Sequence, residues 1–261
     1  MSKQVQFRFY AELNDFLPQN KKYKSFTYTF SGSPSIKDSI EAVGVPHTEV
    51  DLILVNGISV DFNYHLTDGD YISVYPVFES MDISPLLKLR AKPLRITRFI
   101  LDVHLGKLAR KLRMLGFDTL YRNDYSDDEI IDISLKEKRT ILTRDRGILM
   151  VKSVQRGYWV RSKQTDEQLT EVLNRFDLYS QINAFRRCMV CNGEVRRIDK
   201  EKIMDRLLPK TNLFYNEFYI CPECDRLYWK GSHYKKMESF IQSLKEQHNN
   251  IQESNKRAIS E

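Results

Sequence analysis

No run of apolar residues in this chain approaches the roughly 18 needed to cross a bilayer. A membrane-spanning helix is therefore not expected, nor a membrane partner. The opening residues, Met1 to Phe7, lack the apolar stretch of a secretory leader, so the expected location is cytoplasmic. There is no internal repeat. Cysteine is scarce: four residues in 261, all in two Cys-x-x-Cys pairs, Cys188/Cys191 and Cys221/Cys224. Disulfides are disfavoured in a cytosolic protein, and a redox Cys-x-x-Cys needs only one pair. Two such knuckles can set four thiolates in a tetrahedron around zinc. Asn192-Gly193 and Asp225-Arg226 follow the pairs and suit the tight turns that knuckles need. The 29 residues between the pairs exceed the usual ribbon gap. Four thiolates fill the zinc shell, so the expected role is structural. An iron–sulfur cluster is the weaker candidate, because nothing else in the chain asks for electron transfer.

What is present is enough for a real core. Hydrophobic residues make up 41% and charged residues 29%, which fits a soluble protein of one to three domains. The net charge of +6 is unevenly spread: residues 1–80 hold 6 Lys/Arg against 10 Asp/Glu, and the remainder holds 35 against 25. A basic excess favours phosphate-rich partners through counterion release, although solubility alone would also account for it.

Period-two alternation predicts strands over Val5–Tyr10 and Phe26–Phe30, and helical spacing predicts a helix over Ile36–Val43. Asn56-Gly57 predicts a hairpin between Asp51–Val55 and Ile58–Val60. Asp68-Gly69 predicts a turn before a strand at Tyr71–Tyr75. This order suits a β-grasp (ubiquitin-like) domain over 1–80. A linker with Pro85 and Pro93 spans 81–96. An α/β domain follows over 97–180, with strands at Phe99–Leu101, Asp118–Tyr121, Thr140–Thr143 and Tyr158–Val160. Its predicted helices cover Leu105–Leu115, Asp127–Lys138, Arg146–Val154 and Asp166–Phe176, and the alternation implies a parallel sheet. The zinc ribbon takes 181–240. Residues 241–261 read as a polar tail, fraying from about Lys245.

Ligands of parallel α/β sheets bind beyond the carboxyl ends of the strands. Asp102, Asp145 and the group Asp124, Asp127 and Asp128 all fall at such ends. Carboxylates there suit magnesium or manganese, which activates water and offsets phosphoryl charge. The same aspartates are also ordinary caps and turn formers, with Asp127 a candidate N-cap, and both readings stay open. Lys107, Arg110, Lys111, Arg113, Arg144 and Arg146 crowd the same rim, either to hold a phosphate backbone or as solvated faces. After the second cysteine pair comes an aromatic-basic cluster, Tyr228 to Lys236. Its His233 could hold phosphate or be a turn residue, and Trp229 is expected to pack on the knuckle.

Two sets of stretches resemble known families. Phe7 to Leu13, Val55-Asn-Gly57 and Asp68-Gly-Asp70 are similar to the ubiquitin-like sulfur carriers. Carriers end in a free Gly-Gly, however, whereas this chain continues through Val77-Phe-Glu-Ser80. That leaves a module that contacts a protein partner or RNA. The stretch from Ile100 to Thr119, together with Leu142-Thr-Arg-Asp-Arg146 and the closing aromatic-basic cluster, resembles the Mut-seven C-terminal ribonuclease family, a branch of the PIN-like nucleases. That resemblance implies a metal-dependent endoribonuclease. Asp102, Asp145 and either Asp127 or Asp128 would hold magnesium or manganese, and RNA would be the substrate. A fourth acid has no clear match, Asp166 being the nearest. The competing readings are a non-catalytic RNA-binding or ribosome-associated adaptor, and a toxin-like nuclease held off by a partner.

Overall fold

A computed structural model describes residues 2–76 and 97–260; the linker expected at 81–96 lies outside the described residues. The N-terminal segment folds as a mixed five-stranded sheet in the order β2-β1-β5-β3-β4. Its strands are β1 (Lys3–Phe9), β2 (Phe26–Phe30), β3 (Leu52–Val55), β4 (Ile58–Val60) and β5 (Tyr71–Tyr75), with helix α1 (Ile36–Ala42). The central strand β1 runs antiparallel to β2 and parallel to β5. Alternation in β1 turns Val5, Phe7 and Phe9 into the core, where Ile36, Ile40, Ile53 and Ile72 are also buried. Ser35 caps α1 by accepting from the Asp38 amide. Asn56 and Gly57 both take positive φ, 51° and 83°, as a tight hairpin turn requires. Asp70, buried behind the predicted Asp68-Gly69 turn, accepts from the Asn56 amide, the Tyr64 hydroxyl and the Thr67 backbone.

The next segment supplies β6 (Arg98–Leu101), helix α2 (Gly106–Met114), β7 (Asp118–Leu120), α3 (Asp127–Glu137), β8 (Thr140–Thr143), α4 (Arg146–Leu149), β9 (Gly157–Trp159) and α5 (Thr165–Arg175). Strands β6, β8 and β9 pair in parallel, with Leu101 opposite Leu142 and Thr143 opposite Trp159. Every residue of β8 is buried, as expected of a strand covered on both faces. Helix α4 stops at Leu149, short of the predicted Val154. Asp145 caps only its first turn, and residues beyond Met150 form a separate turn closed by the Val154 amide on the Val151 carbonyl. The C-terminal segment holds the antiparallel strands β10 (Arg196–Ile198), β11 (Phe218–Ile220) and β12 (Leu227–Trp229), helix α6 (Pro209–Phe214) and helix α7 (Ser232–Ser260). Helix α7 takes over the stretch expected as a fraying tail. Its Lys, Glu and Gln residues are good helix formers, and Ile241 and Leu244 are buried.

The described chain forms two compact units. One comprises Met1–Gly106 with Tyr121–Arg161, and the other Lys107–Leu120 with Ser162–Glu261. Within the first unit the N-terminal sheet domain is docked on the β9 end of the parallel sheet. Glu49 is fully buried there and accepts from the Trp159 amide at 2.6 Å and from the Arg161 guanidinium at 3.4 Å. Arg161 also donates to Asp15 at 2.9 Å. His47 reaches the Val154 carbonyl through Nε2 at 2.7 Å. Burial works against the charge of Arg161, but Glu49, Tyr158 and Asp15 more than offset it and raise its pKa. Removing one partner of a buried pair strands the other charge, at a cost of about 3–5 kcal/mol. Arg161→Ala should therefore lower unfolding stability by about that much, measured by denaturant titration, whereas a loss within about 0.5 kcal/mol, typical of a surface change, would show that the pair does not hold the unit together.

Candidate functional site

The acidic site is built from the ends of β6 and β8. Asp102 is nearly buried, at 5% exposure, and its amide continues the ladder onto the Leu142 carbonyl. One carboxylate oxygen, Oδ1, accepts from the His104 amide at 2.8 Å and so caps the turn Val103–Leu105. The other, Oδ2, accepts from the Thr143 hydroxyl at 2.5 Å and the Arg144 amide at 2.7 Å. The same Thr143 oxygen accepts from the Asp145 amide at 2.8 Å. Thr143 thus links the two aspartates in one hydrogen-bonded chain. Asp145 Oδ1 accepts from the Gly147 amide at 2.7 Å, while its Oδ2 has no hydrogen-bond partner among the described residues.

Nearby glycine and tyrosine set the turn that carries this site. The Tyr121 hydroxyl donates to the Val103 carbonyl at 3.1 Å. It lies so close to Gly106 that a Cβ there would stand 2.6 Å from the Tyr121 oxygen. A side chain at Gly106 would require the Tyr121 ring to move from its place across the start of α2.

Asp127 and Asp128 occupy the exposed first turn of α3. The N-cap is Ser126 rather than Asp127: Ser126 and Glu129 form a reciprocal capping box. Asp124 is paired with Arg122 at 2.8 Å. Among the described residues, the four cysteines are the group of three or more metal-ligating side chains whose donor atoms lie within 4.8 Å of one another. The aspartates do not gather in that way.

The basic residues divide into distinct roles. Arg113 is buried, donating to the Thr119 and Val190 carbonyls at 2.8 and 2.7 Å. It is an internal strap and not a surface cation, which removes it from a backbone-holding role. Arg144 donates to the Arg161 carbonyl, and its own carbonyl accepts from the Trp159 indole at 3.2 Å. The Arg146 guanidinium lies 3.9 Å from the Trp159 ring centroid. Lys107 and Arg110 are exposed on α2, and His233 is exposed at the start of α7. Lys111 is bound to Asp166, the residue nearest to a fourth acid. Trp229 packs tilted against Phe218, with centroids 6.5 Å apart.

The cysteine site is closed and symmetric in construction. In each knuckle the first cysteine's carbonyl accepts from an amide four residues on: Asn192 to Cys188 at 3.0 Å and Asp225 to Cys221 at 2.8 Å. Asn192 and Asp225 both have positive φ, 75° and 57°, which short polar side chains tolerate. Sulfurs stand 3.6 Å apart for Cys188 and Cys224, and 3.4 Å for Cys191 and Cys221. Those gaps are far too long for a disulfide and near the roughly 3.8 Å edge of a tetrahedron with about 2.3 Å Zn–S bonds. The donor set therefore fits a structural zinc. At Cys188 burial works against the thiolate, but hydrogen bonds from Tyr228 and from the Cys191 and Val190 amides bring its pKa down to about 6. Burial pushes the Cys191 thiol up. Gly193 donates to Cys191 Sγ at 3.4 Å, and a Cβ on it would fall 2.9 Å from Cys221 Sγ.

Residues 97–241 match the family model described as the Mut7-C RNAse domain, and residues 2–82 match that described as Mut7-C ubiquitin. No curated protein and no solved structure matches the chain.

Elemental analysis of the purified protein should find about one zinc per chain, falling to background in Cys221→Ser together with loss of ordered β10–β12 signals in hydrogen exchange. A metal-free preparation with the ribbon still protected would contradict the assignment.

Proposed function

The chain belongs to the Mut7-C RNAse domain family, and from that premise we propose that it is a metal-dependent endoribonuclease of the PIN-like class, cleaving phosphodiester bonds in single-stranded RNA. The observation that supports this most is the pair Asp102 and Asp145 at the carboxyl ends of neighbouring parallel strands, joined through Thr143. Magnesium commonly takes only one or two protein carboxylates and fills its remaining positions with water and substrate phosphate. Asp102 and Asp145 are hard oxygen donors of that kind, and Asp145 keeps one oxygen unengaged. Asp127 and Asp128, exposed and without ion pairs among the described residues, are the candidates for a further carboxylate. When bound, such an ion supplies a water of lowered pKa and positive charge against the phosphoryl oxygens.

The chain's own groups would do the rest. Thr143 and the Arg144 amide fix the orientation of the Asp102 carboxylate. Lys107 and Arg110 would hold the phosphate backbone and His233 would add a contact, none of them reading sequence. Zinc, held by Cys188, Cys191, Cys221 and Cys224, would stabilise the ribbon and take no part in the chemistry. The N-terminal domain would contact a partner protein or the RNA.

A second reading, a non-catalytic RNA-binding or ribosome-associated adaptor built on the N-terminal domain and the ribbon, draws on one observation. Both aspartates also serve as caps, which is what a purely structural role looks like.

The two aspartates are not equivalent as test positions. In Asp102→Asn the new amide must face a backbone or hydroxyl donor at either oxygen position, costing about 1–3 kcal/mol in stability. In Asp145→Asn the carbonyl can keep the Gly147 contact while the amide takes the unengaged position. Asp145→Asn should therefore fold like the wild type, bind RNA, and lose magnesium- or manganese-dependent cleavage by more than the about 10–100-fold that even outer-shell partners of a metal site are worth. Wild-type protein that binds labelled single-stranded RNA and never cuts it with either metal would sink the nuclease reading and leave the adaptor.

A further inference from the structure

A cavity of about 420 Å³ opens within the second unit, between α2, α7 and the first cysteine knuckle. Its floor is Met114, Met189, Met237 and Phe240, and its rim is Lys107, Arg110, Lys111 and Lys236. The sequence spacing explains the arrangement. Lys107, Arg110, Lys111 and Met114 follow at i, i+3, i+4 and i+7, one face of α2, and Met237 and Phe240 stand three apart on α7. Met189 lies between Cys188 and Cys191, so the fold of the knuckle decides where its side chain stands.

The rim is cationic and largely uncompensated. Lys111 is fixed by Asp166 and lies 4.0 Å from the Phe240 centroid. Lys107, Arg110 and Lys236 make no ion pair or hydrogen bond among the described residues through their side chains. Three unpaired cations around one small opening repel each other, a cost that a bound anion reverses. Methionine sulfurs and an aromatic ring give a polarisable floor suited to a flat π system. A phosphate alone would use the rim and leave the floor wet. An apolar molecule alone would use the floor and leave the charges unanswered. A nucleotide unit presents both features at once, a planar base and a phosphate on either side of it. The size falls within the about 300–1,000 Å³ of small-ligand sites. A base can enter only if it is free to leave its stack, which is ordinary in single strands and not in duplexes.

We propose that this cavity is a nucleobase subsite: it takes one unstacked base of single-stranded RNA on Met237 and Phe240 while Lys107, Arg110 and Lys236 hold the adjoining phosphates. The choice of RNA as the ligand rests on the ribonuclease reading; the shape and charge of the cavity do not.

The test is fluorescence anisotropy of the full-length, zinc-loaded protein with a labelled single-stranded RNA, without added magnesium or manganese. The same backbone made abasic, an RNA duplex and anionic phospholipid vesicles serve as comparisons. Phe240→Ala should weaken single-strand binding about tenfold, the usual worth of one base–aromatic contact, and leave abasic binding unchanged. Met237→Glu, at a half-exposed position that tolerates a polar side chain, puts an anion among the cations and should weaken both; it carries the test should Phe240→Ala fail to fold. Single-strand binding unaffected by the folded variants, abasic binding as tight as RNA, or preference for duplex or vesicles would each overturn the subsite. A wild type that binds through the cavity and never cuts refutes the nuclease and leaves the subsite standing. Cutting that is indifferent to both cavity variants does the reverse.

Discussion

The Thr143 hydroxyl holds a position on which the acidic site depends. It accepts from the Asp145 amide and donates to Asp102 Oδ2, so one oxygen fixes a carboxylate at the end of β6 and the chain direction at the end of β8. Thr143 is fully buried, which makes both bonds costly to lose. Because Arg144 also donates its amide to Asp102, the segment Thr143–Asp145 is bent around that carboxylate. The bend frees Asp145 to cap α4 and turns Arg146 onto the Trp159 ring. Capping and chemistry are compatible at such a place: a carboxylate held by several donors is already oriented before any ligand arrives.

The N-terminal domain acts on the same segment from outside. Glu49 accepts the Trp159 amide, and the Trp159 indole in turn donates to the Arg144 carbonyl. Asp15 and Phe16 meet Arg161 and Arg146 at the same edge. A buried glutamate is thereby exchanged for an ordered β9 edge, which would otherwise offer open hydrogen-bonding groups. The domain is thus part of the first unit's own packing, in addition to whatever it contacts.

Much of this was legible in the sequence, and the failures have physical reasons. Strand β8 could be bounded at Thr140 and Thr143 because a strand buried on both faces is a short apolar run between polar residues. Asn56-Gly57 announced its hairpin because few residues accept its backbone angles. The four cysteines were readable because two Cys-x-x-Cys knuckles bring four sulfurs within 4.8 Å of one another. Helix α4 looked longer than it is, since Ile148, Leu149, Val151 and Val154 keep helical spacing while the chain turns. Helix α7 looked like a tail, since its polar residues show no apolar stripe long enough to signal a helix. Glu49, Asp15 and Arg161 gave no signal at all: a buried ion pair is made by tertiary approach, and its residues look like any surface charges. The Met189, Met237 and Phe240 floor was hidden for the same reason, being assembled from segments far apart in the chain. Arg113 looked like its exposed neighbours because amphipathic spacing does not reveal which cation folds inward to bind carbonyls.

The proposed divalent-metal site at Asp102 and Asp145 is separate from the cysteines. Calorimetric titration of manganese into the zinc-loaded protein tests it most directly. A saturable binding event is expected, which Asp145→Asn abolishes while zinc content stays unchanged. Equal manganese uptake by wild type and variant, or none by either in the presence of RNA, would contradict it.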